Sequence, residues 1–142
     1  MVSSVNSGSG SLIERIGIPR SLLWGFIALL VFMIGDGLET GYLASFLHDE
    51  GFSESRVAFT MTVYGVTVAI ASWLSAALSE VMGPRKVVFL GAFIWFICHI
   101  GFMAGIHLEN YPMLLGFYAL RGFGYPLFAY AFLVWVLSLI HI

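Results

Sequence analysis

The sequence predicts an all-α membrane protein with four transmembrane helices, and three observations predict it. Of 142 residues, 60% are apolar and only 10% charged, and the mean hydropathy is +0.96. A soluble domain carries roughly a quarter charged residues, so lipid is the solvent this composition fits. Four stretches reach the roughly 20 apolar residues that a helix needs to cross a hydrocarbon core about 30 Å thick. The segments between them are so short that successive helices must run antiparallel.

Residues 1–20, MVSSVNSGSGSLIERIGIPR, read as a cytoplasmic tail: Gly/Ser-rich at the start, with no apolar run followed by a small-residue cleavage site. Leu12 to Ile18 can form one amphipathic turn at the membrane surface. Residues 21–136 hold the four spans, placed at Ser21–Leu47, Val57–Ser79, Val87–Ile106 and Tyr111–Val136. His48–Arg56 is a polar connector, Glu80–Lys86 a tight turn broken by Gly83 and Pro84, and His107–Asn110 barely a loop. Residues 137–142, LSLIHI, carry no Lys or Arg where the fourth helix is expected to emerge into the cytoplasm. They match the translation of a common transposon-based sequencing adaptor and are expected to be an artefactual C-terminus.

Orientation follows from the basic residues. Arg15, Arg20, Arg85 and Lys86 fall on one side, and Arg56 lies opposite among Asp49, Glu50, Glu54 and Glu109. The positive-inside rule places the N-terminus and the second connector in the cytoplasm. A net charge of −2 with no basic patch gives no footprint for nucleic acid. The single cysteine, Cys98, excludes an intrachain disulfide and any metal-type Cys spacing. His99 has no second ligand at metal spacing and reads as a packed or pore-edge histidine, so neither metal nor cofactor is expected. Among the tryptophans, Trp95 sits too deep to anchor at the interface and reads as packing.

Three ionisable residues lie well inside the spans: Asp36 and Glu39 in the first, Arg121 in the fourth. Each costs about 2.5 to 3.5 kcal/mol on insertion scales, and such residues face a protein interior or a water-filled cavity. Asp36 and Glu39 share one helix face, which Tyr42 extends. Counted from the outer span ends, Asp36 and Arg121 both lie roughly 15 Å deep, at about 1.5 Å per residue. Asp36 is therefore the favoured partner of Arg121, with Glu39 the alternative. One role for the pair is to neutralise two buried charges and fix register. The other is a substrate or proton site in which a carboxylate exchanges its arginine for a proton. Gly35, Gly37, Gly41, Gly122 and Gly124 permit close helix approach beside it, and Pro126 is expected to bend the fourth helix. Tyr42, Tyr64, Thr67 and Tyr125 offer hydroxyls to a polar solute, with Thr60 and Thr62 nearby. For the threonines the competing role is a hydrogen bond back to their own helix.

Ala76 to Lys86, AALSEVMGPRK, resembles the signature that joins the second and third helices of the major facilitator superfamily. Glu80 stands for its acid, Gly83 for the turn glycine, and Arg85 with Lys86 for its basic end. Ala76 replaces the usual glycine, and Val81 and Pro84 replace arginines. Arg121-Gly122-Phe123-Gly124 is similar to the fourth-helix motif of proton-coupled members. IGDGLETGYL (34–43), TVYGVTVAIASWLSAALSE (62–80) and LRGFGYPLFAYAFLVW (120–135) resemble the polyol permease branch. The resemblance implies a twelve-helix fold in two halves, of which eight helices are missing from this chain. It also implies proton symport of a sugar alcohol across the cell membrane by a protein that is not an enzyme. Some members of the branch carry a 2-oxoglutarate permease label, which makes a carboxylate permease the runner-up. A small four-helix scaffold subunit is the reading from another class. An intramembrane enzyme would need a nucleophile–base set or paired histidines one turn apart, and His48, His99, His107 and His141 do not supply them.

Overall fold

The computed structural model describes residues 20–140. Four helices fill that range: α1 (Arg20–Asp49), α2 (Glu54–Met82), α3 (Pro84–His107) and α4 (Tyr111–Ile140). Each is long and apolar enough to cross a membrane. The protein is a multi-pass, all-α membrane protein, with no strand among the described residues. The predicted amphipathic turn, Arg15 and His141 lie outside the described residues.

The helices extend beyond the predicted spans at several ends. α1 continues to Asp49, α2 begins at Glu54 and reaches Met82, and α4 continues to Ile140. The predicted bounds mark where apolar sequence stops, whereas a helix continues past the hydrocarbon until a residue ends it. Those residues are identifiable. After α1, Gly51 adopts φ 88°, and the Phe52 N–H donates to the Leu47 carbonyl at 3.1 Å. That left-handed residue closes the helix end and returns Phe52 to the core. Between α2 and α3 only Gly83 is non-helical, at φ 85°, with its N–H donating to the Ser79 carbonyl at 3.1 Å. Pro84 then occupies the first turn of α3, where its missing N–H has no helical partner to lose. Ahead of α4, the Asn110 side-chain oxygen accepts the Met113 N–H at 3.1 Å, a side-chain cap.

Two compact units divide the chain, residues 1–36 and 37–142, with the boundary inside α1. The described part of the first, residues 20–36, is uninterrupted helix. In the second unit, α4 packs most extensively on α3 and next on α2, while α2 and α3 touch little. Small residues permit the close approach. A Cβ on Gly124 would stand 2.7 Å from the Trp95 backbone nitrogen, and one on Gly105 would stand 2.6 Å from that of Leu114. Without a hydrophobic drive between helices in lipid, backbone proximity of this kind supplies the dispersion that holds them together. On the other flank, the Ser75 hydroxyl donates to the Pro126 carbonyl at 3.2 Å. Pro126 itself lies within an unbroken α4. An apolar core draws Leu43 and Leu47 of α1 against Val57, Phe102, Ile106, Leu114 and Tyr118. This core fixes the second half of α1 next to α4, and so positions Glu39.

Candidate functional site

Arg121 is among the most buried large side chains of the chain, at 1% exposure, because its helix is flanked by both α2 and α3. A guanidinium so placed must find its partners inside the protein. It faces the Glu39 carboxylate with both terminal nitrogens: Nη1 donates to Oε1, and Nη2 donates to Oε2 at 2.8 Å. Two parallel charge-assisted bonds match the planar fork to the carboxylate, a geometry that lysine cannot reproduce. The burial is asymmetric, since the Glu39 side chain retains 23% exposure.

Aromatic rings complete the surroundings of the guanidinium. Its Cζ lies 4.6 Å from the centroid of the Trp95 ring and 5.4 Å from that of Tyr118. The negative ring faces stabilise the buried cation, more so than they would in water. Tyr118 stacks in turn on Tyr64 at 4.5 Å and tilts against Phe102 at 4.8 Å. His99 stacks on Trp95, with centroids 5.2 Å apart and planes within 3°. Beside the pair a cleft of about 200 Å³ opens, lined by Glu39, Tyr42, Phe46, His99, Phe102 and Met103 among others.

Of the two acids that the sequence offers, Glu39, the alternative partner, makes the fork. The end of α1 accounts for the depth of Glu39. The helix runs to Asp49 and not to Leu47, so Glu39 and Arg121 each stand ten residues from the neighbouring helix ends, Asp49 and Tyr111. Asp36 belongs to the first unit and is half-buried.

The remaining candidates divide. Tyr42 is exposed and lines the cleft with Glu39. Tyr64 spends its ring on the stack with Tyr118. Thr67 donates to the Tyr64 carbonyl at 2.8 Å and packs against Gly122. Thr60 and Thr62 likewise bond back to Arg56 and Ala58, at 2.8 and 2.9 Å. These hydroxyl protons serve the local helix. Tyr125, one turn beyond Arg121, is half-buried and meets Tyr130 edge-on at 6.3 Å. Glu80, Gly83, Arg85 and Lys86 gather at the α2–α3 turn, apart from the pair, where the Arg85 guanidinium lies 5.9 Å from the Trp135 ring. A Cβ added at Gly37 or Gly41 would meet nothing within 4 Å, in contrast to Gly122 and Gly124. Among the described residues, no group of three or more His, Cys, Asp or Glu side chains is placed to hold a metal ion.

Trp95, Tyr118 and His99 are the residues that sequence reasoning did not assign to the site. A signal existed for Trp95: an indole too deep to anchor at the interface, in a chain with one buried arginine. Tyr118 lies three residues before Arg121, on the same helix face.

Three relatives from bacteria carry transporter names. The chain is 47% identical over 128 residues to the alpha-ketoglutarate permease of Bacillus subtilis, covering 89% of this chain and 29% of that protein. To the D-arabinitol transporter of Klebsiella pneumoniae it is 40% identical over 122 residues, 85% of this chain and 29% of the relative. The ribitol transporter of the same organism is 39% identical over 119 residues, 83% of this chain and 28% of the relative. The chain is a homologue of these transporters. This bears out the resemblance to the polyol permease branch of the major facilitator superfamily. The chain spans less than a third of the length of these relatives. No protein-family model matches it, and neither does any solved structure.

Proposed function

We propose that this chain provides the first four helices of a secondary transporter that carries a small polar solute together with a proton, a sugar alcohol being the favoured solute. The observation that carries this reading is the Arg121–Glu39 fork inside a membrane-spanning helix cluster. A purely structural chain gains little from such a pair, because apolar residues of similar volume hold helices at least as well. A transporter uses it. A carboxylate bound to arginine is held ionised, and one that loses its arginine in a desolvated cavity takes up a proton, so a conformational change that separates the two drives proton uptake. Glu39, with its remaining exposure and its cleft, is the acid that exchanges; Arg121 is the partner left behind. Tyr42 supplies a hydroxyl at the same cleft. The favoured orientation has the N-terminus and the α2–α3 turn, with Arg85 and Lys86, in the cytoplasm of a cell membrane.

A carboxylate permease is the second reading. Two observations favour it: the 47% identity to a relative named as an alpha-ketoglutarate permease, and a buried arginine able to receive a carboxylate. Uptake by a full-length transporter carrying this segment, offered ribitol, arabinitol and 2-oxoglutarate under an imposed proton gradient, separates the two. Polyol accumulation alone supports the first reading. Accumulation of 2-oxoglutarate alone supports the second, and accumulation of none of the three removes both.

A further inference from the structure

The cleft beside the charge pair holds a second ionisable group that the exchange described above does not use. His99 of α3 lines that cleft together with Glu39 of α1. Its ring is half-buried, and its Nδ1 is buried with no hydrogen-bond partner among the described residues. A buried polar atom without a partner is uncommon enough to require an explanation. Packing alone does not call for an imidazole there, since a phenyl ring would stack on Trp95 without leaving a nitrogen unsatisfied.

The groups around His99 are few. Glu39 and Tyr42 of α1 line the same cleft, and Arg121 of α4 meets the same Trp95 ring. Between Val57 and Ser79, α2 contains no charged residue. On α3 itself, Cys98 is the neighbour in sequence. Trp95 touches both members of the set: the Arg121 guanidinium lies over its ring, and the His99 ring stacks on it. When Arg121 releases Glu39, the guanidinium retains the Trp95 and Tyr118 faces, and the carboxylate is left in a cleft that it shares with the His99 imidazole and the Tyr42 phenol.

We propose that His99 is the proton donor to Glu39. An imidazolium N–H bond breaks and a carboxyl O–H bond forms at Glu39, leaving a neutral imidazole and a neutral acid. A hydronium ion reaching the cleft through water then protonates the ring and leaves water behind. Histidine suits the task because its charge changes near neutral pH. This inference rests on the proton-coupled reading of the Glu39–Arg121 pair.

The test is magnetic resonance of nitrogen-labelled histidine in the chain reconstituted in lipid nanodiscs, with His99→Phe assigning its signal among the four histidines. The expected result is that His99 changes charge as the pH is varied. Glu39→Gln should weaken its proton affinity roughly threefold or more, because a nearby opposite charge has been removed, and His48 and His107 should not respond. If Glu39→Gln fails to insert, the infrared carboxyl band of Glu39 in wild type and His99→Phe serves instead, and its pH dependence should move. In a full-length transporter, His99→Phe keeps the aromatic stack and removes the proton. It should shift the pH profile of proton-driven uptake. A His99 signal indifferent to Glu39→Gln, or an unshifted profile in His99→Phe, overturns the proposal. Neither result touches the parent reading, which fails instead if proton-driven uptake survives Glu39→Gln.

Discussion

Removing either partner of the Arg121–Glu39 fork should cost more than removing both. In Glu39→Gln the guanidinium, 1% exposed, loses its counter-charge and cannot reach water. Deleting one member of a buried pair costs about 3 to 5 kcal/mol. The Trp95 and Tyr118 faces remain, and such contacts are each worth about 1 to 2 kcal/mol when desolvated, which favours the lower end, about 3 kcal/mol. In Arg121→Met the stranded group is Glu39, whose 23% exposure lets it meet water or take a proton, so about 2 kcal/mol is expected. The double variant strands no charge and should lose at most about 1 kcal/mol. The singles therefore sum to about 5 kcal/mol against at most about 1 for the double, a coupling of about 4 kcal/mol. That is well above the roughly 0.6 kcal/mol average measured for interhelical hydrogen bonds within membranes. Reversible unfolding of the four proteins in bicelles, followed by tryptophan fluorescence, measures it. Additive losses, with coupling below about 0.5 kcal/mol, would refute the fork as an energetic unit.

Gly124→Val should destabilise the chain by about 3 kcal/mol in the same unfolding assay, since its Cβ collides with the Trp95 backbone. Gly37→Ala, which meets nothing within 4 Å, should change stability by no more than about 1 kcal/mol; equal losses at both positions would contradict the close α3–α4 approach. Single cysteines at Ser53 and Pro84, in a Cys98-free background, should be labelled by an impermeant thiol reagent from outside at position 53 and not at 84. The reverse pattern would invert the proposed topology. These 142 residues alone should move no solute, because a midplane site in such a fold lies between two repeats. Vesicle uptake above an empty-vesicle control would contradict this.

The site was legible in part. Asp36, Glu39 and Arg121 are conspicuous because ionisable residues are rare at that depth, and their chemistry needs no structure to be noticed. The fork to Glu39 is harder to read, because depth counted from hydropathy misses the last two residues of α1, after Leu47, and a helix does not end where the apolar sequence does. The competing role for the threonines is likewise a matter of local geometry: Thr60, Thr62 and Thr67 all bond to their own helix, at 2.8 to 2.9 Å. Tyr64 and Tyr42 have the same side chain in sequence and different situations in the fold, one stacked in the core and one open at the cleft.

Length and hydrophobicity by themselves determined four spans, their order and their antiparallel succession, because a bilayer of fixed thickness and backbone groups that must be satisfied internally leave a single solution for such stretches. Gly83 and Pro84 determined the turn between α2 and α3, since glycine takes a positive φ without steric cost and proline has no N–H to leave unpaired at a helix start. Only the tertiary structure decided that α4 lies between α2 and α3, that Glu39 meets Arg121, and that Trp95 and His99 attend the pair. The hydrocarbon-like surroundings of every helix are nearly the same, so the sequence pattern carries little information on which face meets which neighbour. That choice is made by shape, where Gly122 and Gly124 admit Thr67 and Trp95 closely enough to seat a buried guanidinium.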